Sequence, residues 1–186
     1  MPPGNGHPRY TREAGITLIE QIMVLAILAV LVSIAAPSLG GLITRNRLQT
    51  TQIDYIAGLQ HAREAAITHG VPVLFCPSSD GTTCLVSSVW DHGWLIGEDR
   101  DGDKQPDHHA LFTGFASDAS LHVRSGSGRY RVRFHPDGSA AGSNLTLTVC
   151  ALGEPEQALN VVVSNAGRVR GDTASAEQWA ACAVDD

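Results

Sequence analysis

A lone carboxylate, two sets of alternating arginines, a run of aspartates and four cysteines are the residues of this chain best placed to do chemistry. Glu20 is the only ionisable residue between positions 14 and 44, and it stands near the start of a long apolar run. A carboxylate in such a run is costly in lipid and needs a partner. A cut after Gly15 would supply one. Ile16 would then carry a new α-amino group, and Glu20 would become the fifth residue of the shortened chain. In an array of such helices, that carboxylate could neutralise the amino terminus of a neighbouring subunit.

The arginines suit phosphate. Arg168 and Arg170, at i and i+2 in an extended segment, point the same way, and Gly167 lets the backbone turn so that both reach one phosphate strand. An exposed strand end with two solvated arginines is the competing reading. Arg129, Arg131 and Arg133 alternate with Tyr130, Val132 and Phe134, so the three share one strand face, with Arg124 a candidate neighbour. That stripe could extend a nucleic-acid track, although the solvated outer face of an amphipathic strand is the preferred account of it. Asp99, Asp101, Asp103 and Asp107 set carboxylates around a glycine turn, the oxygen-rich surroundings calcium favours. With no EF-hand glutamate, a solvated acidic turn is preferred, and no metal or other cofactor is expected. Eight histidines are scattered without a His-Glu-x-x-His pattern, and no Gly-x-Ser-x-Gly elbow occurs, so catalysis is rejected.

Cys76, Cys84, Cys150 and Cys182 all follow the apolar run, and an even count in an exported chain reads as disulfides. Three pairings are open. Cys76 with Cys84 and Cys150 with Cys182 is favoured, because each pair closes a segment between plausible element ends. Zinc would call for Cys-x-x-Cys spacing, which is absent. A net charge of −6 argues against a generally basic nucleic-acid binder, so any such contact needs a local patch. Lys104 is the only lysine, and the remaining positive charge is arginine, suited to bidentate phosphate contacts.

These residues require particular elements to hold them. At ~1.5 Å per residue, about 20 apolar residues span a bilayer core, so positions 21–43 are long enough. Ile53, Ile56, Leu59, Ala62, Ala66 and Ile67 then recur at three- and four-residue spacing, and Gly70 and Pro72 end the pattern. The spacing predicts one helix over 17–69, apolar all round and then amphipathic, its second half lying across a sheet. Strand-like runs follow at 71–76, 93–97, 110–115, 121–124, 130–135, 145–150 and 159–165, separated by Gly, Pro, Ser and Asp turns. Such short spacing implies antiparallel sheets. The class expected is α+β: a long N-terminal α-helix packed on two small antiparallel β-sheets. Residues 166–186 read as a C-terminal tail, small and polar from Asp172 onward apart from Trp179 and tethered by Cys182, with Trp179 more a packing anchor than a base-stacking ring.

Two family resemblances add to this reading. The basic leader ending at Gly15, then Ile-Thr-Leu-Ile-Glu and the apolar helix, resembles the type III signal of type IV pilins and secretion pseudopilins. Ile16 stands where that family usually has Phe, and Pro37 falls where many pilins kink. The resemblance implies a leader at 1–15 removed by prepilin peptidase, N-methylation of Ile16, and a membrane or fibre-core half at 16–43. It also implies a periplasmic globular domain at 44–186 with the tail 166–186, and Glu20 as an assembly residue. An ordinary secretory signal and a plain single-span anchor both leave Glu20 unexplained. Further on, Trp90-x-x-Gly-Trp94, Arg-Phe-x-Pro-x-Gly at 133–138, and Asn165-Ala-Gly-Arg-Val-Arg170 resemble the FimT/GspH family of minor pilins and pseudopilins. That likeness implies a pilin-like fold, an inner-membrane protein that joins other pilins in a fibre, and DNA as partner of Gly167, Arg168 and Arg170 in natural transformation. Its alternative is a GspH-type pseudopilin of type II secretion, structural and without DNA.

Overall fold

The computed structural model describes residues 15–114, 116–126, 128–153 and 157–184, with the side chains of 34–39 left aside. The leader positions before Gly15 therefore lie outside the described residues, as does Phe115. Helix α1 runs over Leu18–His69. It ends where Gly70, at φ +68°, donates from its N–H to the Ala66 carbonyl at 3.1 Å, the left-handed stop that a glycine makes cheaply. The chain divides into two compact units, 1–41 and 42–186.

In the first unit α1 carries a row of exposed apolar side chains, including Leu18, Ile22, Leu25, Leu28 and Val32. Glu20 lies in the first turn of this helix, where its N–H faces Thr17 Oγ1 at 3.4 Å. The expected span 16–43 includes positions 34–39, whose side chains lie outside the description. Among the described residues no helix is long and apolar enough to cross a membrane.

In the second unit the described residues form eight strands in two four-stranded antiparallel sheets. The first is ordered β3-β2-β1-β5, with β1 Val73–Pro77, β2 Trp94–Glu98, β3 Phe112–Gly114 and β5 Val132–Phe134. The second is ordered β4-β6-β7-β8, with β4 Leu121–Ser125, β6 Leu145–Ala151, β7 Ala158–Val163 and β8 Val169–Thr173. A short helix α2, Ala176–Cys182, closes the chain under a capping box made by Ser175 and Gln178. One core joins the three layers: Tyr55, Leu59, Ala62 and Ala66 of α1, Phe75 and Phe134 of one sheet, Val123, Leu147 and Val161 of the other. Buried positions 55, 59, 62 and 66 keep one helical stripe, whereas Ile53 and Ile67 fall off it and are exposed. Both members of the Trp90/Trp94 motif pack on Phe75, and the Trp90 carbonyl accepts the buried Tyr55 hydroxyl at 2.8 Å. Burial pushes that hydroxyl's pKa up, keeping it a donor.

What reads in sequence as a polar tail is built structure. Residues 169–173 add an edge strand to β7, and α2 lies over the outer face of the second sheet, where Cys182 bonds Cys150 of β6. Cys76 bonds Cys84, closing the loop after β1. Trp179 packs against the cluster of Cys150, Ala158 and Cys182.

Candidate functional site

Gly167, Arg168 and Arg170 sit where the β7–β8 turn gives way to β8. Gly167 is buried at φ +74°, and its N–H donates to the Ser164 carbonyl at 2.8 Å. A Cβ built there would lie 1.8 Å from the Gly138 carbonyl oxygen, so no other residue fits without moving backbone. That same carbonyl accepts Arg63 Nε at 2.9 Å, and the Ala140 N–H reaches the Asn165 carbonyl at 2.9 Å. The Pro136–Gly138 turn and the Asn165–Gly167 turn are thus packed on one another, and two of the sequence motifs form a single joint.

Beyond this joint, β8 pairs only with β7, Arg170 opposite Val162 and Asp172 opposite Asn160. Because Val161 and Val163 face the core, Arg170 and Asp172 project from the outer face, the side on which Asn160 donates to Gln178 of α2. Arg168 is exposed, and among the described residues its guanidinium has no partner; its backbone is held by Ser164, whose Oγ accepts the Arg168 N–H at 3.2 Å and whose N–H donates to the Arg168 carbonyl at 3.0 Å. Arg170 is also exposed but pairs with Asp172, two residues on. That hydrogen bond, with the Thr173 N–H, holds the Asp172 pKa below the usual carboxylate range.

The second arginine set is differently employed. Strand β5 covers only 132–134, so Arg129 and Arg131 precede it, yet all three arginines line one concavity. Arg133 Nε lies 2.8 Å from Oδ2 of Asp99, a fully buried carboxylate, and its Nη2 donates to the Asp99 carbonyl at 2.9 Å. Arg131 Nη1 donates to the Lys104 carbonyl at 3.1 Å. These arginines therefore brace the acidic loop against the sheet rather than forming a bare outer face. Arg124, the fourth candidate, is tied to Asp91 at 2.6 Å. Burial alone would raise the Asp91 pKa, but Arg124, the Val123 N–H and His122 together bring it below the ordinary value.

Asp99, Asp101 and Asp103 bring carboxylate oxygens within 4.8 Å of one another. Each already serves the loop. Asp99 accepts the Lys104 N–H at 3.2 Å, Asp101 the Asp103 N–H at 3.1 Å, and Asp103 the Gln105 N–H at 2.8 Å. Asp107 instead accepts the Arg100 N–H at 2.7 Å. Sequence spacing shows the alternating carboxylates but not the buried salt bridge that fastens them.

A family described as Type II transport protein GspH matches residues 54–167. No curated protein matches the chain. Among solved structures, the type IV minor pilin FimU of Pseudomonas aeruginosa is similar at 22% identity and TM-score 0.58, covering 69% of this chain and 90% of that one. A second crystal form of it gives 20% and 0.55, covering 67% and 92%. The minor pseudopilin EpsH of the Vibrio cholerae type 2 secretion system is similar at 15% and 0.49, over 68% and 97%. The fold is that of pilin-like subunits, a long helix packed on two antiparallel sheets.

Proposed function

The chain belongs to the GspH family of minor pilins and pseudopilins, and from that premise we propose that it is a minor pilin of a type IV pilus whose globular unit binds DNA without sequence preference. The observation that carries the reading is the unpartnered, exposed guanidinium of Arg168, two residues from Arg170 on an edge strand. Phosphodiesters are met by such forks through charge-assisted hydrogen bonds, and binding of this kind releases counterions. Gly167 shapes the turn that presents the pair. Arg129, Arg131 and Arg133 play the smaller part: Asp99 pairs with Arg133, and Arg131 and Arg129 each commit one N–H to a carbonyl.

The proposal extends to the N-terminal unit. Prepilin peptidase cuts after Gly15, Ile16 is N-methylated, and 16–43 holds the protein in the inner membrane until it joins other pilins in the fibre. The exposed apolar row on α1 then finds lipid first and neighbouring helices later. Glu20 neutralises a neighbour's amino terminus in that array. Mass spectrometry of the purified protein tests the cut: a chain beginning at Ile16 is expected, and one beginning near Ala36 would mean an ordinary secretory signal. Glu20→Ala should leave cleavage intact and impair incorporation into fibres.

DNA binding is tested by titrating salt. If Arg168 and Arg170 each neutralise one phosphate, their share of the log–log slope is about −1.8, so a fourfold rise in salt weakens binding roughly tenfold through these two. Arg168→Ala with Arg170→Ala should remove that share and lower transformation while pili still form. A second reading, a type II secretion pseudopilin without DNA, has a specific observation behind it: the family match ends at 167, before either arginine, and Arg170 is occupied by Asp172. No DNA binding by the unaltered protein at low salt would select it.

A further inference from the structure

Beside β5 lies a concavity of about 470 Å³ whose lining includes Lys104, Arg129, Tyr130 and Arg131 and no carboxylate. Among the described residues, none of these three cations forms an ion pair; the ion pairing of this region belongs to Arg133 and Asp99. The guanidiniums are nonetheless aimed. Arg131 Nη1 donates to the Lys104 carbonyl at 3.1 Å, and Arg129 Nη1 reaches the Gly142 carbonyl at 3.4 Å, which leaves most of their N–H donors free. Lys104 is presented by a strained turn: its φ of 74° is the one positive value at a non-glycine residue among those described. Its N–H donates to Asp99 Oδ1, so the buried Arg133–Asp99 pair fixes the loop that carries it. Gln105, the next residue, is bonded to the Cys84 backbone at both ends of its amide, which fastens the loop a second time.

Strand β5 is an edge strand, yet an added peptide strand is excluded here. Ser143 Oγ accepts the outward Arg133 N–H at 2.9 Å, and its single proton is shared between the Arg133 carbonyl at 3.1 Å and the Ala140 carbonyl at 3.2 Å, so the Ser143 side chain covers the outward backbone edge of Arg133. What remains is a concave cup lined by no carboxylate, with three positive charges that form no ion pair among the described residues.

We propose that this cup binds a phosphoryl oxyanion carrying at least two negative charges, a diphosphate or a terminal phosphate monoester. Guanidinium forks match tetrahedral phosphate oxygens, and charge-assisted bonds of this type are the strong ones. A single phosphodiester charge would leave the cup under-neutralised; a diphosphate does not. Tyr130 adds a hydroxyl donor and a ring face, and the volume lies within the range of small-ligand sites. The inference stands apart from the DNA reading, which rests on Arg168 and Arg170.

The test is isothermal titration calorimetry on the full chain in a neutral detergent at low ionic strength, with pyrophosphate as probe. A saturable, one-to-one heat is expected. Arg129→Gln combined with Arg131→Gln should weaken it at least about tenfold, since each change removes charged hydrogen bonds. Because Arg131 also ties the loop, Lys104→Gln is the second variant: its loop contacts run through the backbone, so it should fold and still bind severalfold more weakly. Arg168→Gln with Arg170→Gln should leave the pyrophosphate heat unchanged while removing that pair's share of the DNA-binding salt slope, so the two readings fail separately. ADP binding as tightly as pyrophosphate identifies a nucleotide source, and weaker ADP binding a free diphosphate; both support the site. Absent saturable heat, unchanged affinity in the Lys104 and double-arginine variants, or equal binding of citrate would overturn it.

Discussion

Alternating arginines lead into β5 and into β8, and the fold treats the two sets in opposite ways. Before β5 the arginines turn inward onto a loop: Arg131 holds the Lys104 carbonyl and Arg133 meets a fully buried Asp99. At β8 the pair turns to solvent, and among the described residues its only side-chain tie is Arg170 to Asp172, itself exposed. Identical spacing thus yields an arginine braced on a buried carboxylate in one place and a solvent-facing pair in the other. The cause is the neighbourhood. The β2–β3 connection lays a carboxylate against β5, whereas β8 is the edge strand of its sheet among the described residues.

The largest effect expected lies at the joint beneath the second pair. Gly167→Ala adds a Cβ within 1.8 Å of the Gly138 carbonyl at a left-handed φ. It should cost more than about 3 kcal/mol, read as a lowered denaturation midpoint. A native-like midpoint would mean that the two turns separate easily, and the presentation of Arg168 would lose its basis.

Next comes the brace. Asp99→Asn leaves Arg133 facing a neutral amide and should cost about 3 kcal/mol. Arg170→Ala, breaking an exposed pair, should stay within about 0.5 kcal/mol. Equal losses at the two sites would erase the distinction.

A pH titration separates the paired arginine on β4 from both. The folded pKa of Asp91 lies below its unfolded value of about 3.8, so its stabilisation is complete above that value and is lost as the pH falls through the lower, folded one. Asp91→Asn should flatten this acid limb and cost about 2 kcal/mol at neutral pH. The same limb in the variant would place the titrating group elsewhere.

The smallest effect concerns the solvent-facing pair. Asp172→Asn releases Arg170 and should strengthen DNA binding by a few fold at low salt, without changing the denaturation midpoint beyond about 0.5 kcal/mol. Weaker binding would show that Asp172 orients Arg170 instead of occupying it.

The long helix, the seven strand-like runs and the cysteine pairing were legible because each depends on local information. Apolar spacing distinguishes helix from strand, glycine and proline mark the turns, Cys76 and Cys84 close a short segment, and pairing those two leaves Cys150 for Cys182. The alternation of Arg129, Arg131 and Arg133 was equally plain, as was the Arg168/Arg170 pair. Their employment was not. Whether a guanidinium meets solvent or a buried carboxylate depends on Asp99 and Lys104, some 30 residues away in sequence and brought alongside β5 only by the loop between β2 and β3. Strand β8 and helix α2 escaped notice for a related reason. Their residues are small and polar, with little apolar period of their own, and they are ordered by pairing with β7, by the Asn160–Gln178 bond and by the Cys150–Cys182 bridge. Gly167 shows the same division within one residue: the sequence marks a turn there, and only the packed fold puts the Gly138 carbonyl where any side chain would have to be.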